Sequence, residues 1–447
     1  MSDRRKVLEL FEEQKDFMDE RVSSGIELYR KGRAKISIEN SNGEPVKNAK
    51  VHVNQKTHEF KYGANIFMLD ELETDEKNEL YKKYFSEAFN MATLPFYWDA
   101  TEPEKGQTRY EKGSKRIYRR PPIDLCIEFC EKHGIEPREH ALAYEAFFPH
   151  WLYNESVHEV KKALEKRYKE ISERYADKIP TIEVTNEMEW VKGKTAFYDE
   201  PDFVEWCFKL AEKYFPANQL VINEHTGLPW ADRCRVTDKY YSYIEANILK
   251  GARVDAIGMQ FHMMINQADE YADTRAYYSP EKLYAHMDLY SNFNKPLQLT
   301  EVTIPAYSND EEDEAIQAEI IEKLYSIWFS HKNVEQIVYW NVVDGYAHVW
   351  NPAEIEGSQG NMSLGENVYY GGLIRFDMTP KPAYYTIKNL FEKKWHTEAD
   401  ITTDSNGNTS FKGFYGKYDV EIEVDGKIIK KEINLGKKNL NEFKIVL

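Results

Sequence analysis

Between residues 4 and 31, Val7, Leu8, Leu10, Phe11 and Phe17 recur at the three-to-four spacing of one helical face on a charged background. The pattern then switches. The segment AKISIENSNGEPVKNAKVHVNQ alternates apolar and polar positions around Asn42-Gly43, which predicts a β-hairpin over 34–57. From about residue 61, short apolar runs alternate with longer charged segments of helical period. The runs at 61–67, 90–98, 136–144, 181–190, 219–225, 255–262, 296–305 and 336–344 predict eight strands separated by helices. Repeated βα units of this kind predict an α/β chain, a (β/α)8 TIM barrel over 61–395. An open doubly wound sheet is the rival, and it is weakened because no G-x-G-x-x-G follows the first strand. After PKPAYYTIKNLFEKKW, alternation returns around Asn406-Gly407 and Asp425-Gly426. Residues 396–447 are therefore expected to join the helix-and-hairpin segment 1–60 in a small accessory β-sandwich against the barrel. Phe411, Phe414, Tyr415 and Tyr418 in this end segment read as core rather than as a sugar-binding row.

Charge and cysteine usage narrow the partners. A net charge of -17 disfavours nucleic acid and anionic membrane surfaces, since phosphates would be repelled. No apolar run reaches the length of a membrane span, and the N-terminus lacks the apolar core of a signal peptide. The expectation is a cytoplasmic protein as the sequence stands, or a secreted one if a signal has been removed. Cys126, Cys130, Cys207 and Cys234 have no second Cys/His pair at ligand spacing. They read as buried free thiols, and no metal or other cofactor is expected. The oligomeric state is not legible.

The candidate chemistry sits where a barrel places it, at the C-terminal ends of strands. The fourth predicted strand ends in Thr185-Asn186-Glu187 and the seventh in Thr300-Glu301. A carboxylate at the end of an apolar run is expensive to bury, so two of them call for a reason beyond packing. Glycoside cleavage supplies one. It needs one carboxylic acid to protonate the leaving oxygen and one carboxylate to attack the anomeric carbon. An asparagine beside the acid can bond the sugar 2-hydroxyl in the transition state.

The region from about 61 to 390 resembles glycoside hydrolase family 10, whose members are chiefly retaining endo-β-1,4-xylanases on a (β/α)8 barrel. The matching segments are WDATEPEKGQTRYE (98–111), VTNEMEW (184–190), VDAIGMQFHM (254–263), QLTEVTI (298–304), VYWNVVDGY (338–346) and RFDMTPKPAYY (375–385). The resemblance implies Glu187 as acid/base with Asn186, Glu301 as nucleophile, and His262 as the nucleophile's partner. It also implies Gln260 as a further polar contact and Trp340 as a platform under the sugar.

The departures are as informative. The family's Glu-Asn and Lys of strand two are absent from Thr93-Leu94-Pro95-Phe96-Tyr97, so Tyr97 stands where a cation is usual. In strand three His140 is kept, while a Trp becomes Tyr144 and a His becomes Glu145. Thr303 replaces the Asp that usually partners His262. Tyr97, His140, Tyr144 and Glu145 are thus candidate sugar contacts in altered subsites. Glu145 is expected to face the pocket, with no local cation to balance it, and to select a neutral or cationic glycoside. The expected function is a retaining hydrolase of a xylan-like β-glycan. Two alternatives stay open: a hydrolase of a different β-glycoside or glycoconjugate, and a catalytically silent carbohydrate-binding barrel.

Overall fold

A computed structural model describes residues 3–189, 193–231, 234–355 and 357–447. Two strands, β1 (Lys31–Glu39) and β2 (Lys50–Gln55), precede the barrel. The barrel strands are β3 (Lys61–Asn65), β4 (Met91–Pro95), β5 (Glu136–His140), β6 (Thr181–Asn186), β7 (Gln219–Asn223), β8 (Ala256–His262), β9 (Leu297–Thr303) and β10 (Val334–Tyr339). They pair in parallel and in order, and β10 closes on β3. All eight predicted apolar runs supply a strand. Each observed strand stops short of the predicted C-terminal limit or close to it, because the terminal residues leave the ladder to form the mouth. The predicted run 181–190 ends at Trp190, which lies outside the described residues.

The predicted hairpin at 34–57 does not form. β1 lies between β12 (Asn408–Phe414) and β15 (Glu442–Val446), whereas β2 lies between β11 (Glu398–Thr402) and β13 (Gly416–Val424), with β14 (Lys427–Leu435) outermost. The Asn42-Gly43 turn thus carries the chain from one sheet to the other. Each strand finds a longer antiparallel partner in the C-terminal segment than it would in its sequence neighbour. The inward residues Ala34, Ile36, Ile38, Val51, Val53, Phe411, Tyr418, Val420, Ile422 and Leu435 form the core between the two sheets. Phe411 and Tyr418 are therefore core. Phe414 instead joins the barrel-side cluster, 6.1 Å from Phe329.

The N-terminal helical segment, assigned above to the accessory unit, packs on the barrel. Phe11 is fully buried against Tyr278, with ring centroids 5.8 Å apart. At Gly25, in the helix Lys15–Tyr29, a Cβ would sit 2.4 Å from the carbonyl oxygen of Ser330. Glycine is what lets this helix touch the C-terminal end of Glu311–Ser330. Cys126, Cys130 and Cys207 are buried free thiols, and Cys234 is half-buried. Among the described residues, no helix is long and apolar enough to cross a membrane.

Candidate active site at the mouth of the barrel

Glu187 and Glu301 meet across the barrel mouth through a shared donor. Gln260 on β8 points its Nε2 at Glu187 Oε1 (2.9 Å) and at Glu301 Oε1 (3.0 Å). Glu187 is the first residue past β6 and has a left-handed backbone, φ 48°. A non-glycine residue held there costs roughly 1–3 kcal/mol and persists only where its surroundings over-determine it. Here they do: Tyr144 donates its hydroxyl to Glu187 Oε2, Gln260 holds the other oxygen, and the Glu187 amide donates to the Asn223 carbonyl.

Glu301 accepts from three sides. Asn223 Nδ2 (3.2 Å) and Gln260 meet Oε1, and His262 Nε2 meets Oε2 at 3.2 Å. Burial pushes its carboxyl up to about 8; Glu183 and Glu187 add to this, while His140 and Arg138 oppose it. Burial lowers the His262 imidazole, which is therefore neutral. Its Nδ1 lies 2.9 Å from Thr303 Oγ1. The threonine hydroxyl donates to Nδ1 and leaves Nε2–H for Glu301. A neutral hydroxyl that can donate thus stands where the family's aspartate would accept from Nδ1–H.

Behind the pair lies a layer that sequence reading did not single out. Asn223 Nδ2 reaches Asn186 Oδ1 (2.9 Å) and Glu183 Oε1 (3.3 Å) as well as Glu301. Its Oδ1 accepts from Thr300 at 2.7 Å. The space comes from Gly258, where a Cβ would lie 2.3 Å from that oxygen. Glu183, fully buried, is paired with Arg138 and with His140 Nδ1 (2.8 Å). Against burial, which alone would raise it, Arg138 and His140 hold Glu183 below the ordinary carboxylate range. Burial also pushes Glu224, just after β7, up to about 8. Asn223 and Glu183 were present in the predicted strands, but an in-strand polar residue looks the same in sequence whether it faces the barrel axis or the helices.

Asn186 Oδ1 accepts from both Asn223 and Gln260, the latter at 3.2 Å. This fixes its amide orientation and leaves a buried Nδ2 with no acceptor. An unsatisfied buried N–H beside Glu187 is a donor free to meet a ligand acceptor. His140, Glu183 and Glu301 also bring one ligand-type atom each to within 4.8 Å of one another. The Arg138 guanidinium already supplies the positive charge there, so the donor set fits a hydrogen-bond network better than a metal.

Other candidate sugar contacts are placed differently from expectation. Glu145 turns away from the pair: its Oε1 accepts the backbone N–H groups of Lys194 (3.1 Å) and Thr195 (2.8 Å) and the Thr195 hydroxyl (3.2 Å). It pins the loop after β6, where two amide donors outcompete a groove-facing rotamer. Tyr97 spends its hydroxyl on His140 Nε2, at 3.1 Å. The expected lack of a local cation is also corrected, since Arg120 Cζ lies 3.8 Å from the Tyr97 ring centroid. Trp340 stands edge-on to Phe67, His140 and His262, with centroids 5.3, 5.3 and 5.9 Å away. This gives an aromatic wall beside the carboxyl pair.

A carboxyl pair on the fourth and seventh strands of a (β/α)8 barrel is the arrangement that glycoside hydrolases use. The chain belongs to Glycosyl hydrolase family 10, whose sequence profile matches residues 54–390. Among curated relatives, it is 25% identical to the anti-sigma-I factor RsgI6 of Acetivibrio thermocellus, over 91% of this chain and 47% of that protein. It is 24% identical to endo-1,4-beta-xylanase B of Cellvibrio japonicus, over 66% of this chain and 43% of that protein. The chain thus spans less than half the length of these relatives. Xylanase 10B from Thermotoga petrophila RKU-1, solved in complex with xylobiose, shares the fold with TM-score 0.57 and 22% identity. That match covers 75% of this chain and 95% of the other.

Proposed function

We propose that this chain hydrolyses β-glycosidic bonds of a xylan-like polysaccharide or oligosaccharide with retention of configuration. Glu187 is the acid/base and Glu301 the nucleophile. The observation that carries the reading is Gln260 bridging the two carboxyls. A single donor touching both keeps them near the ~5–5.5 Å separation of a retaining pair, without the ~6.5–9.5 Å that admits a water between sugar and base. The unsatisfied Asn186 Nδ2 supports the same reading, being placed for a sugar hydroxyl. In the first step the Glu301 carboxylate, held by Asn223, Gln260 and His262, attacks the anomeric carbon while Glu187 protonates the leaving oxygen. In the second, Glu187 takes a proton from water, which displaces Glu301. The names of the xylanase relatives favour a xylose backbone. A carbohydrate-binding barrel without catalysis would need no strained acid beside a triply bonded carboxylate.

The test is hydrolysis of an aryl β-xyloside and of xylan by the parent and by Glu301→Ala. The alanine variant should lose turnover, and azide should partly restore it with a product of inverted configuration, because the small anion enters the vacated space. Parent-like activity in Glu301→Ala would remove the assignment.

A further inference from the structure

The connection between β4 and β5 brings two adjacent arginines, Arg119 and Arg120, against the aromatic side chains beside the carboxyl pair. Arg120 stacks on Tyr97 at 3.8 Å and lies 5.4 Å from the Phe147 ring and 5.5 Å from the Phe67 ring. Arg119 lies 5.6 Å from Phe67. Tyr97 in turn touches His140, and Phe67 meets Trp340, so the pair stands one aromatic ring away from the groups around Glu301.

These guanidinium groups are short of acceptors. They are 4% and 8% exposed, and neither has an ion-pair partner among the described residues. Arg138, equally buried, has Glu183, and Arg4 has Glu270 and Asp313. Arg167, without a carboxylate, fills its N–H groups with four oxygen acceptors. Arg120 has one acceptor, the Arg119 carbonyl at 2.9 Å, and Arg119 has the Tyr346 carbonyl while its buried Nε has none. The acid that acts on Arg120, Asp99, does so from beyond ion-pair distance, and its own carboxyl is pushed by burial up to about 6. His348 adds no third cation, since burial, helped by both arginines, pushes it down to about 3. Two adjacent cations removed from water, with one acid acting on them only from beyond ion-pair distance, are costly, and an entering anion would recover part of that cost. The planar fork of arginine matches a carboxylate, with two parallel N–H groups on two oxygens.

We propose that Arg119 and Arg120 form a carboxylate-recognising subsite beside the catalytic pair, and that the preferred substrate is a β-glycan bearing a uronic acid at that point. This reverses the selectivity anticipated from Glu145, whose charge is directed at the loop. The proposal rests on the glycoside hydrolase reading of the Glu187–Glu301 site, which the experiment tests separately.

The probes are a xylo-oligosaccharide carrying one glucuronic acid and the same compound with its carboxyl reduced to an alcohol. For the parent, kcat/KM should be at least about tenfold higher on the charged compound. In Arg120→Met the ratio should approach one. In Arg120→Lys, which keeps the charge but not the fork, it should be intermediate, so a folding failure of one variant leaves the other informative. Equal kcat/KM on the two compounds in the parent overturns the subsite and leaves the hydrolase reading standing, as does a ratio that survives both substitutions. If the parent hydrolyses neither compound, calorimetric titration of both into the Glu301→Ala protein decides. Tenfold tighter binding of the charged compound supports the subsite while the hydrolase reading on xylan fails; equal or absent binding overturns the subsite.

Discussion

Gln260→Leu is the sharpest perturbation of the pair, because one side chain of similar size is exchanged and both carboxyls lose a donor at once. Gln260 gives Glu187 a bond of 2.9 Å and Glu301 one of 3.0 Å. A hydrogen bond to a charged acceptor contributes about 1.5–3 kcal/mol, and one pKa unit corresponds to about 1.36 kcal/mol. Donors favour the ionised form, so losing them raises the proton affinity of the pair by about 1–2 units. The acidic limb of kcat/KM, which reports first ionisation of the pair in the free enzyme, should move to higher pH by that amount. At pH values below the parent's acidic limb the activity should then fall about 10- to 100-fold. The assay is kcat/KM on an aryl β-xyloside across pH, with thermal melting as the check that the barrel is intact. An acidic limb within about 0.3 unit of the parent's, with kcat/KM within about threefold, would refute the claim that Gln260 joins the two carboxyls.

Other outcomes follow from the same geometry. The parent's basic limb should mark loss of the pair's last proton and lie above the ordinary carboxylate range, because Glu301 is buried beside Glu183 and Glu187. Glu187→Gln on an activated aryl substrate, which needs little acid help, should abolish that limb; an unchanged limb would exclude Glu187 as the acid. Glu145→Ala strands the amides of Lys194 and Thr195 and should cost about 2–4 kcal/mol of stability, read by denaturant unfolding; a parent-like midpoint would contradict its loop-pinning role. Burial raises the Glu145 carboxyl, opposed by its bonds from Thr195 and Lys194, so the folded state holds this proton more tightly than the unfolded one. Its contribution is fully present at low pH and lost as pH rises through the raised value. Glu145→Gln should accordingly lose less melting temperature than the parent as pH rises from the ordinary carboxylate value through the raised one.

The barrel was legible because its information is local. Each strand is a short apolar run and each helix a periodic charged one, and eight alternations leave few topologies. Glu187 and Glu301 were legible for a related reason: a carboxylate at the end of an apolar run violates the local pattern and asks for a function. What stayed hidden depends on which distant segments become neighbours. The Asn42-Gly43 turn reads as a hairpin, but β1 and β2 separate because the C-terminal strands offer each of them a longer ladder. Asn223 and Glu183 look like ordinary strand residues until closure of the barrel turns them toward its axis. Glu145 follows a strand end just as Glu187 does, yet the backbone amides of Lys194 and Thr195 capture it, and no local pattern encodes their position. Arg119 and Arg120 lie in a loop where charge is unremarkable, and the cation missing from Tyr97's own strand returns through them. Periodicity and residue type determined the scaffold and singled out the candidate carboxyl pair. Only the folded barrel decided which side chains face the pair and with what charge, since loops and strand ends take their direction from contacts made across the chain.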